Sequence, residues 1–252
     1  MKRAVSVLLS AALMLSVLAG CGKSGSVSKE NTSAEETAES TKIALSDSGI
    51  TVDGAAISDD ETAAVYAAQD IVYYEEGQGV AYGAGTDADA HSQEEADAHT
   101  VVHITQPGTY TLSGTLSAGQ IAVDLGNGAE EDPEAVVTLV LDGVDITCTV
   151  APAIIFYRVY ECGSADTETA TQTVDTSAAG ANIVIADGTE NRVTGSHVAK
   201  IYKPESVTLN ADGTAVEEAK KLHKYDGALY SKMSMNVSGG ESGTGTLGIV
   251  AD

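Results

Sequence analysis

Oxygen-bearing side chains recur at the turns of this sequence, where they could hold a hard cation. Calcium takes six to eight oxygen ligands, and carboxylates and amide oxygens at turns supply them. A turn Asp or Asn has another common use, since its side chain can bond to its own backbone. The sequence predicts calcium as a cofactor, with simple Asx-Gly turns as the alternative at each position. The candidate ligands are Asp142, Asp145, Asp187, Asn191, Asp226 and Asp252.

A second group of residues has the chemistry to bind sugars. The face of an aromatic ring suits the apolar face of a sugar, and Tyr225 and Tyr230 are followed closely by Lys232. Lys232 is also the best candidate for the base of a lyase. The alternative is that these tyrosines pack at strand edges and that Lys232 is a solvated turn residue. No catalytic residue is assigned, because no spacing indicates a Ser-His-Asp triad or a pair of carboxylates.

The histidines and cysteines carry weaker signals. His91, His99 and His103 lie in an acidic stretch whose spacing favours a solvated loop over a transition-metal site. Cys148 and Cys162 form an even pair, and the sequence predicts a disulfide between them in an oxidising exterior. The alternative is a pair of buried thiols inside a β-solenoid.

A short apolar strand that ends at Asp-Gly recurs along the chain, and it must position these residues. The copies are Val136–Gly143, Ile183–Gly188 and Val207–Gly213, with looser ones at Tyr110–Gly114 and Met233–Gly239. Steps of roughly 25–30 residues built from short strands and turns are typical of β-solenoids. One longer step contains a polar insert, residues 161–180. The sequence therefore predicts an all-β chain of stacked rungs.

The start of the chain has the pattern of an export signal. Lys2 and Arg3 precede an uncharged apolar run, Ala4–Val17, which is too short to span a membrane. The following Leu18–Cys21 resembles a bacterial lipobox, which implies that Cys21 carries a diacylglycerol anchor on the extracellular face of the cell membrane. Stable attachment requires two lipid chains, and this group supplies both.

Composition separates the remaining regions and excludes one class of partner. The formal net charge of −24 argues against nucleic acid, whose phosphates this surface would repel. We expect a signal peptide at 1–20, the lipidated Cys and a disordered tether at 21–42, an irregular lead-in or cap at 43–100, and the β-solenoid at 101–252. The solenoid stops in mid-pattern, so we expect later rungs, or a partner covering its last edge.

The motifs of the second half resemble one known family. Ala135–Thr147 with Ala151–Ile154, Gly108–Asp124, Ile185–Asn191 and Tyr225–Lys232 are similar to the "carbohydrate-binding domain-containing" β-helix proteins of Gram-positive anaerobes. The resemblance implies a right-handed parallel β-helix of the polysaccharide-lyase type. It also implies non-catalytic binding of plant cell-wall polysaccharide, including acidic pectin, with calcium in the fold. Two alternatives stay open: a lyase-like enzyme, and a structural or adhesive surface protein with a protein partner.

Overall fold

The computed structural model describes residues 40–163 and 175–251. The predicted signal peptide, Cys21, nearly all of the tether and Asp252 lie outside these ranges. The chain is all-β, as predicted, and its one α-helix in the described part is a short one, α1, Gln93–Asp97. Two 3₁₀ turns lie at Ala129–Glu131 and Pro204–Ser206. The strands are β1 Thr41–Leu45, β2 Thr51–Val52, β3 Ala55–Ala56, β4 Val65–Ala68, β5 Thr100–Ile104, β6 Gly108–Leu116, β7 Gly119–Asp124, β8 Val137–Thr147, β9 Ile154–Arg158, β10 Ala181–Ile185, β11 Glu190–Gly195, β12 Val198–Tyr202, β13 Thr208–Leu209, β14 Val216–Glu218, β15 Lys221–Tyr225, β16 Leu229–Ser231, β17 Met235–Gly239 and β18 Thr246–Ala251.

Alternating side chains explain why the repeated segments form strands. In β8, Val137, Leu139 and Leu141 are fully buried, whereas Thr138 and Val140 between them are half-exposed. A period of two places alternate residues on opposite faces of a sheet. The apolar face of each strand therefore points into one shared core.

Two sheets of parallel strands face this core. One contains β6, β8, β10 and β17 and the other contains β5, β7, β9 and β16. From β5 to β10 the chain passes from one sheet to the other at every strand. Neighbouring repeats pair in register, so that Tyr110, Leu139, Ile183 and Val237 lie opposite one another in successive strands. The second halves of β6 and β8 continue the first sheet toward β11 and β18.

The lead-in covers the first edge of both sheets. Strand β1 pairs in parallel with β6 and in antiparallel with β2, and β4 pairs in antiparallel with β5. An uncovered edge strand would present unpaired backbone groups to other chains. Residues 65–68 form β4 because pairing with β5 satisfies their backbone.

An antiparallel arm, residues 196–228, leaves the stack between β11 and β16. Strand β12 pairs with β15 and β13 pairs with β14. The sequence predicted that Val207–Gly213 would be one of the stacked repeats. In the structure it is part of a hairpin of the arm instead. Asn210 Oδ1 accepts hydrogen bonds from Thr214 N and Ala215 N, which closes the turn. Residues 216–222 contain β14 and the start of β15.

The predicted disulfide does not form in the structure, where Cys148 and Cys162 are both free thiols. Cys148 is buried beyond the end of β8, and Cys162 follows β9. Between them runs the extended strand β9, whose five residues span about 17 Å. The two cysteines thus lie on either side of β9 in the chain and are not bonded to each other in the structure.

Candidate functional site

A cleft of about 340 Å³ lies on the outer face of the sheet that contains β5, β7 and β9. The arm and the lead-in supply its walls. Three larger hollows in the described residues have no aromatic wall. One is lined by small polar and aliphatic groups with a single carboxylate, Asp47, one has four lining residues, and the third lies along β8, β11 and β18. The residues that line the cleft are Asp70, Val72, Val101, His103, Gln120, Ala122, Asp124, Tyr157, Arg158, His223, Tyr225 and Lys232.

Strand alternation positions the floor of the cleft. Val102 and Ile104 of β5 are fully buried in the core, so Val101 and His103 point to the outer face. In β7 the same alternation places Ala122 at the centre of the floor, opposite His103. A small residue there leaves room for a ligand between the walls.

Of the sequence-predicted sugar-binding residues, Tyr225 and Lys232 line this cleft, and Tyr230 packs against Tyr225. The ring of Tyr225 lies 5.3 Å from the rings of both Tyr157 and Tyr230, in edge-to-face geometry. Lys232 Nζ lies 5.8 Å from the centre of the Tyr157 ring and 5.9 Å from that of Tyr225. An ammonium over aromatic rings is attracted to their electron-rich faces. Tyr225 is only 2% exposed, so it supports the cluster rather than offering a stacking surface.

Burial sets the protonation of the aromatic wall. It raises the pKa of Tyr157, and it is the main cause that raises the pKa of Tyr225 to about 12. Burial, and then the charge of Lys232, lower the pKa of His223. His223 is therefore neutral at pH 7, and we assign its Nδ1 as the acceptor of a 2.6 Å hydrogen bond from the Tyr225 hydroxyl. Lys232 is the charged group of this wall.

Two charged pairs line the rest of the cleft. Arg158 binds Asp124 through Nε and Nη2 at 2.6 and 2.7 Å, and this pairing raises the pKa of Arg158. His103 Nε2 lies 2.8 Å from Asp70 Oδ1, and its ring stacks on Tyr66 at 4.5 Å. The cleft thus combines hydrogen-bonding groups held in fixed orientations with an apolar aromatic wall, which is the composition of a small-ligand or glycan site.

Sequence reasoning missed most of the charged cleft residues. His103 was interpreted as part of a solvated loop, and Asp70, Asp124, Arg158 and His223 were not singled out. The alternation of Gln120, Ala122 and Asp124 with buried apolar residues was the available signal, since it marks an outward face. No comparable signal existed for Asp70 or His223, because they reach the cleft from the lead-in and the arm.

Asn191, one of the predicted calcium ligands, connects the neighbouring strands β8, β11 and β18 through hydrogen bonds. It is 5% exposed, and its Oδ1 accepts hydrogen bonds from Gly143 N and Val144 N at 2.9 and 3.0 Å. Its Nδ2 donates to Thr189 Oγ1 and to Thr246 O. The amide oxygen already accepts hydrogen bonds from two backbone donors of β8.

The other predicted ligands do not converge. Asp187 accepts hydrogen bonds from Ser242 N and Thr244 N of the next turn, and these bonds lower its pKa. Asp142, Asp145 and Asp226 are exposed. Within residues 40–163 and 175–251, no three His, Cys, Asp or Glu side chains come together in a way that could hold a metal ion. The described residues do not form a ligand set, so calcium stays a prediction from the sequence.

The fold and the cleft define a class: an all-β protein of stacked parallel strands with an aromatic and charged cleft across one sheet. The family model described as "Carbohydrate-binding domain-containing protein" matches residues 98–252, more than half of the chain. The chain belongs to this family. The match begins two residues before β5 and so includes the sheet that forms the floor of the cleft.

A relative from Acetivibrio thermocellus, also described as "Carbohydrate-binding domain-containing protein", is 30% identical over 151 residues. The match covers 55% of this chain and 43% of that protein, so the chain spans less than half the length of this relative. No solved structure gives a significant match. In the part of the chain that the structure describes, no helix is both long and apolar enough to cross a membrane.

Proposed function

We propose that this protein binds polysaccharide without catalysis, and that the cleft beside β5, β7 and β9 is the binding site. The observation that carries the proposal is the convergence of Tyr157, Tyr225 and Lys232, from three separate elements, on one cleft. Membership of the carbohydrate-binding family supports the same function.

We also propose that the two parallel sheets are sides of a right-handed parallel β-helix. The in-register pairing and the alternation of the chain between sheets support this architecture. Right-handed crossovers are the rule for parallel strands joined within one sheet. Stacked rungs repeat along one axis, as a linear polysaccharide does, which suits a groove that follows the stack.

Each cleft residue has a distinct role in this proposal. The exposed ammonium of Lys232 donates hydrogen bonds to sugar hydroxyls or to a uronate carboxylate. The half-exposed rings of Tyr157 and Tyr230, which Tyr225 supports, pack against the apolar face of a sugar ring. Arg158 and His103 are held by Asp124 and Asp70, so little side-chain freedom is lost when a ligand binds.

The finer features of the proposed function come from the sequence. Export and lipid attachment through Cys21 would hold the protein on the outer face of the cell membrane. Acidic pectin is the polysaccharide that the family resemblance implies. Calcium would join an acidic glycan to an acidic protein. The contacts proposed at the cleft do not depend on calcium.

The test is binding to a panel of neutral and acidic plant polysaccharides, with calcium and with a chelator. We expect binding, and we expect Lys232→Gln to weaken it by about five- to tenfold, as for loss of one charge-assisted hydrogen bond. Lys42→Gln, in strand β1 away from the cleft, is the matched control. A folded protein that binds no glycan would reject the proposal, and chelator-sensitive binding would support the calcium prediction.

A further inference from the structure

One buried amide side chain of the cleft floor uses only its nitrogen in a hydrogen bond. Gln120 of β7 lines the cleft although it is only 2% exposed. Its Nε2 donates a hydrogen bond to Pro152 O at 2.6 Å. Among the residues that the structure describes, no group donates a hydrogen bond to Gln120 Oε1. The fold therefore holds an acceptor at the floor of the cleft and gives it no protein donor there.

The hydrogen bond to Pro152 fixes the orientation of this amide group. A backbone carbonyl can only accept, so the nitrogen of Gln120 must face Pro152 and the oxygen must face away from it. Pro152 is itself buried, and it lies two residues before β9, the strand that pairs with β7. Reversing the amide would leave a buried carbonyl without its donor, which is unfavourable.

The oxygen of Gln120 remains accessible from the cleft. In the described part of the chain, Thr194 Oγ1 is the one side-chain oxygen or nitrogen that is both cut off from solvent and without a hydrogen-bond partner. Gln120 Oε1 also lacks a partner, so it must still reach solvent. Val101, opposite Gln120 in β5, and Ala122, the next outward residue of β7, carry no polar side-chain group. A ligand that covers this oxygen must therefore supply the donor itself.

We propose that Gln120 is a specificity-determining residue of the cleft, and that its Oε1 accepts a hydrogen bond from a free hydroxyl group of the bound sugar unit. This inference rests on the proposed function and adds which group of the sugar faces β7. A carboxylate, a ring oxygen or an acylated hydroxyl cannot donate, so the floor rejects them. Lys232 has the opposite requirement, because its ammonium only donates. Together the two residues orient the sugar, with a hydroxyl toward Gln120 and an acceptor toward Lys232.

The test is a cycle that removes the two partners of this hydrogen bond separately and together. The ligands are cellotriose and trigalacturonate, and analogues whose middle unit lacks the hydroxyl at C2, at C3 or, in cellotriose, at C6. For the wild-type chain we expect one of these analogues to bind about tenfold more weakly than its parent, because it leaves the buried oxygen without a donor. In Gln120→Met, whose side chain has a similar size but no amide, the same analogue should lose less than about twofold. Calorimetry measures each affinity.

The matched control is Gln69→Met. Gln69 Nε2 also donates to a backbone carbonyl, that of Asp97, but this residue does not line the cleft. The control should discriminate between parent and analogue as the wild type does, and thermal unfolding verifies that both variants are folded. A second readout needs no variant: the NMR signal of the Gln120 Cδ should shift on binding of the parent, and shift less with the weakly bound analogue.

Three results would overturn the inference. The wild type could bind every analogue as tightly as its parent, the loss could be equal in the wild type and Gln120→Met, or the Gln120 Cδ signal could stay fixed when the parent binds. Failure of the wild-type chain to bind either parent trisaccharide would instead reject the proposed function.

Discussion

Lys232 and His223 share the cleft, and the charge of one affects the protonation of the other. The pKa of His223 is lowered first by burial and second by Lys232. A lowered pKa means that the unfolded chain binds a proton more readily, so the free energy of unfolding falls as the pH drops below about 6.5. The cleft is therefore more stable at neutral than at acidic pH.

Replacing Lys232 by Gln should raise the pKa of His223. It should not reach the ordinary value, because burial, the larger cause, remains. An NMR titration of the His223 ring protons measures this pKa, and Lys42→Gln is the control. An unchanged or lowered pKa in Lys232→Gln would show that the ammonium does not lie near His223.

Asn191 stabilises the fold through the two backbone hydrogen bonds that its side chain accepts. Asn191→Ala leaves the buried Val144 N–H without its acceptor, so we expect a loss of about 2 kcal/mol in the free energy of unfolding. Urea denaturation measures it. Asn210→Ala is a matched control, since Asn210 also accepts from two backbone amides but in a hairpin turn of the arm.

Calcium provides a second readout for Asn191. If the side chain acts only through these hydrogen bonds, adding calcium should not change the difference between wild type and Asn191→Ala. The calcium-ligand role that the sequence predicts would be favoured by either of two results. The loss of unfolding free energy in Asn191→Ala is no larger than in Asn210→Ala, or it appears only when calcium is present.

At the scale of elements, Cys148 and Cys162 lie on either side of strand β9 in the chain, and both are free thiols. Burial raises the pKa of Cys148 to about 11, which leaves little thiolate at neutral pH. In a chain with Cys21→Ser, purified without reductant, we expect two thiols to react with a thiol reagent after unfolding in urea. In the folded chain, Cys162 should react first. Detection of no free thiol would restore the predicted disulfide.

The elements also show what sequence patterns can and cannot predict. The strands within Val136–Gly143 and Ile183–Gly188 were predicted from alternating apolar residues before Asp-Gly. Strand β10 does end before Asp187-Gly188, whereas β8 continues through Asp142-Gly143 to Thr147, so the predicted end of that strand was wrong. Val207–Gly213 has the same local pattern, yet its strand pairs within the arm. Pairing depends on distant segments, so a repeat motif alone does not distinguish a rung from a hairpin.

At the scale of the whole molecule, three separate regions build the cleft. Tyr225, Tyr230 and Lys232 were predictable as a group because they are close in sequence. Their meeting with His103 and Asp70 was not, because it depends on how the lead-in and the arm pack against the sheet.

The histidines allow the most direct measurement of the central claim, that the cleft binds polysaccharide. His103 and His223 line the cleft, whereas His91, His99 and His197 do not. We would record the NMR signals of all five while adding an oligogalacturonate. The account predicts that the signals of His103 and His223 shift together and saturably, while those of His91 and His99 stay fixed. Saturable binding that leaves His103 and His223 unchanged would contradict it.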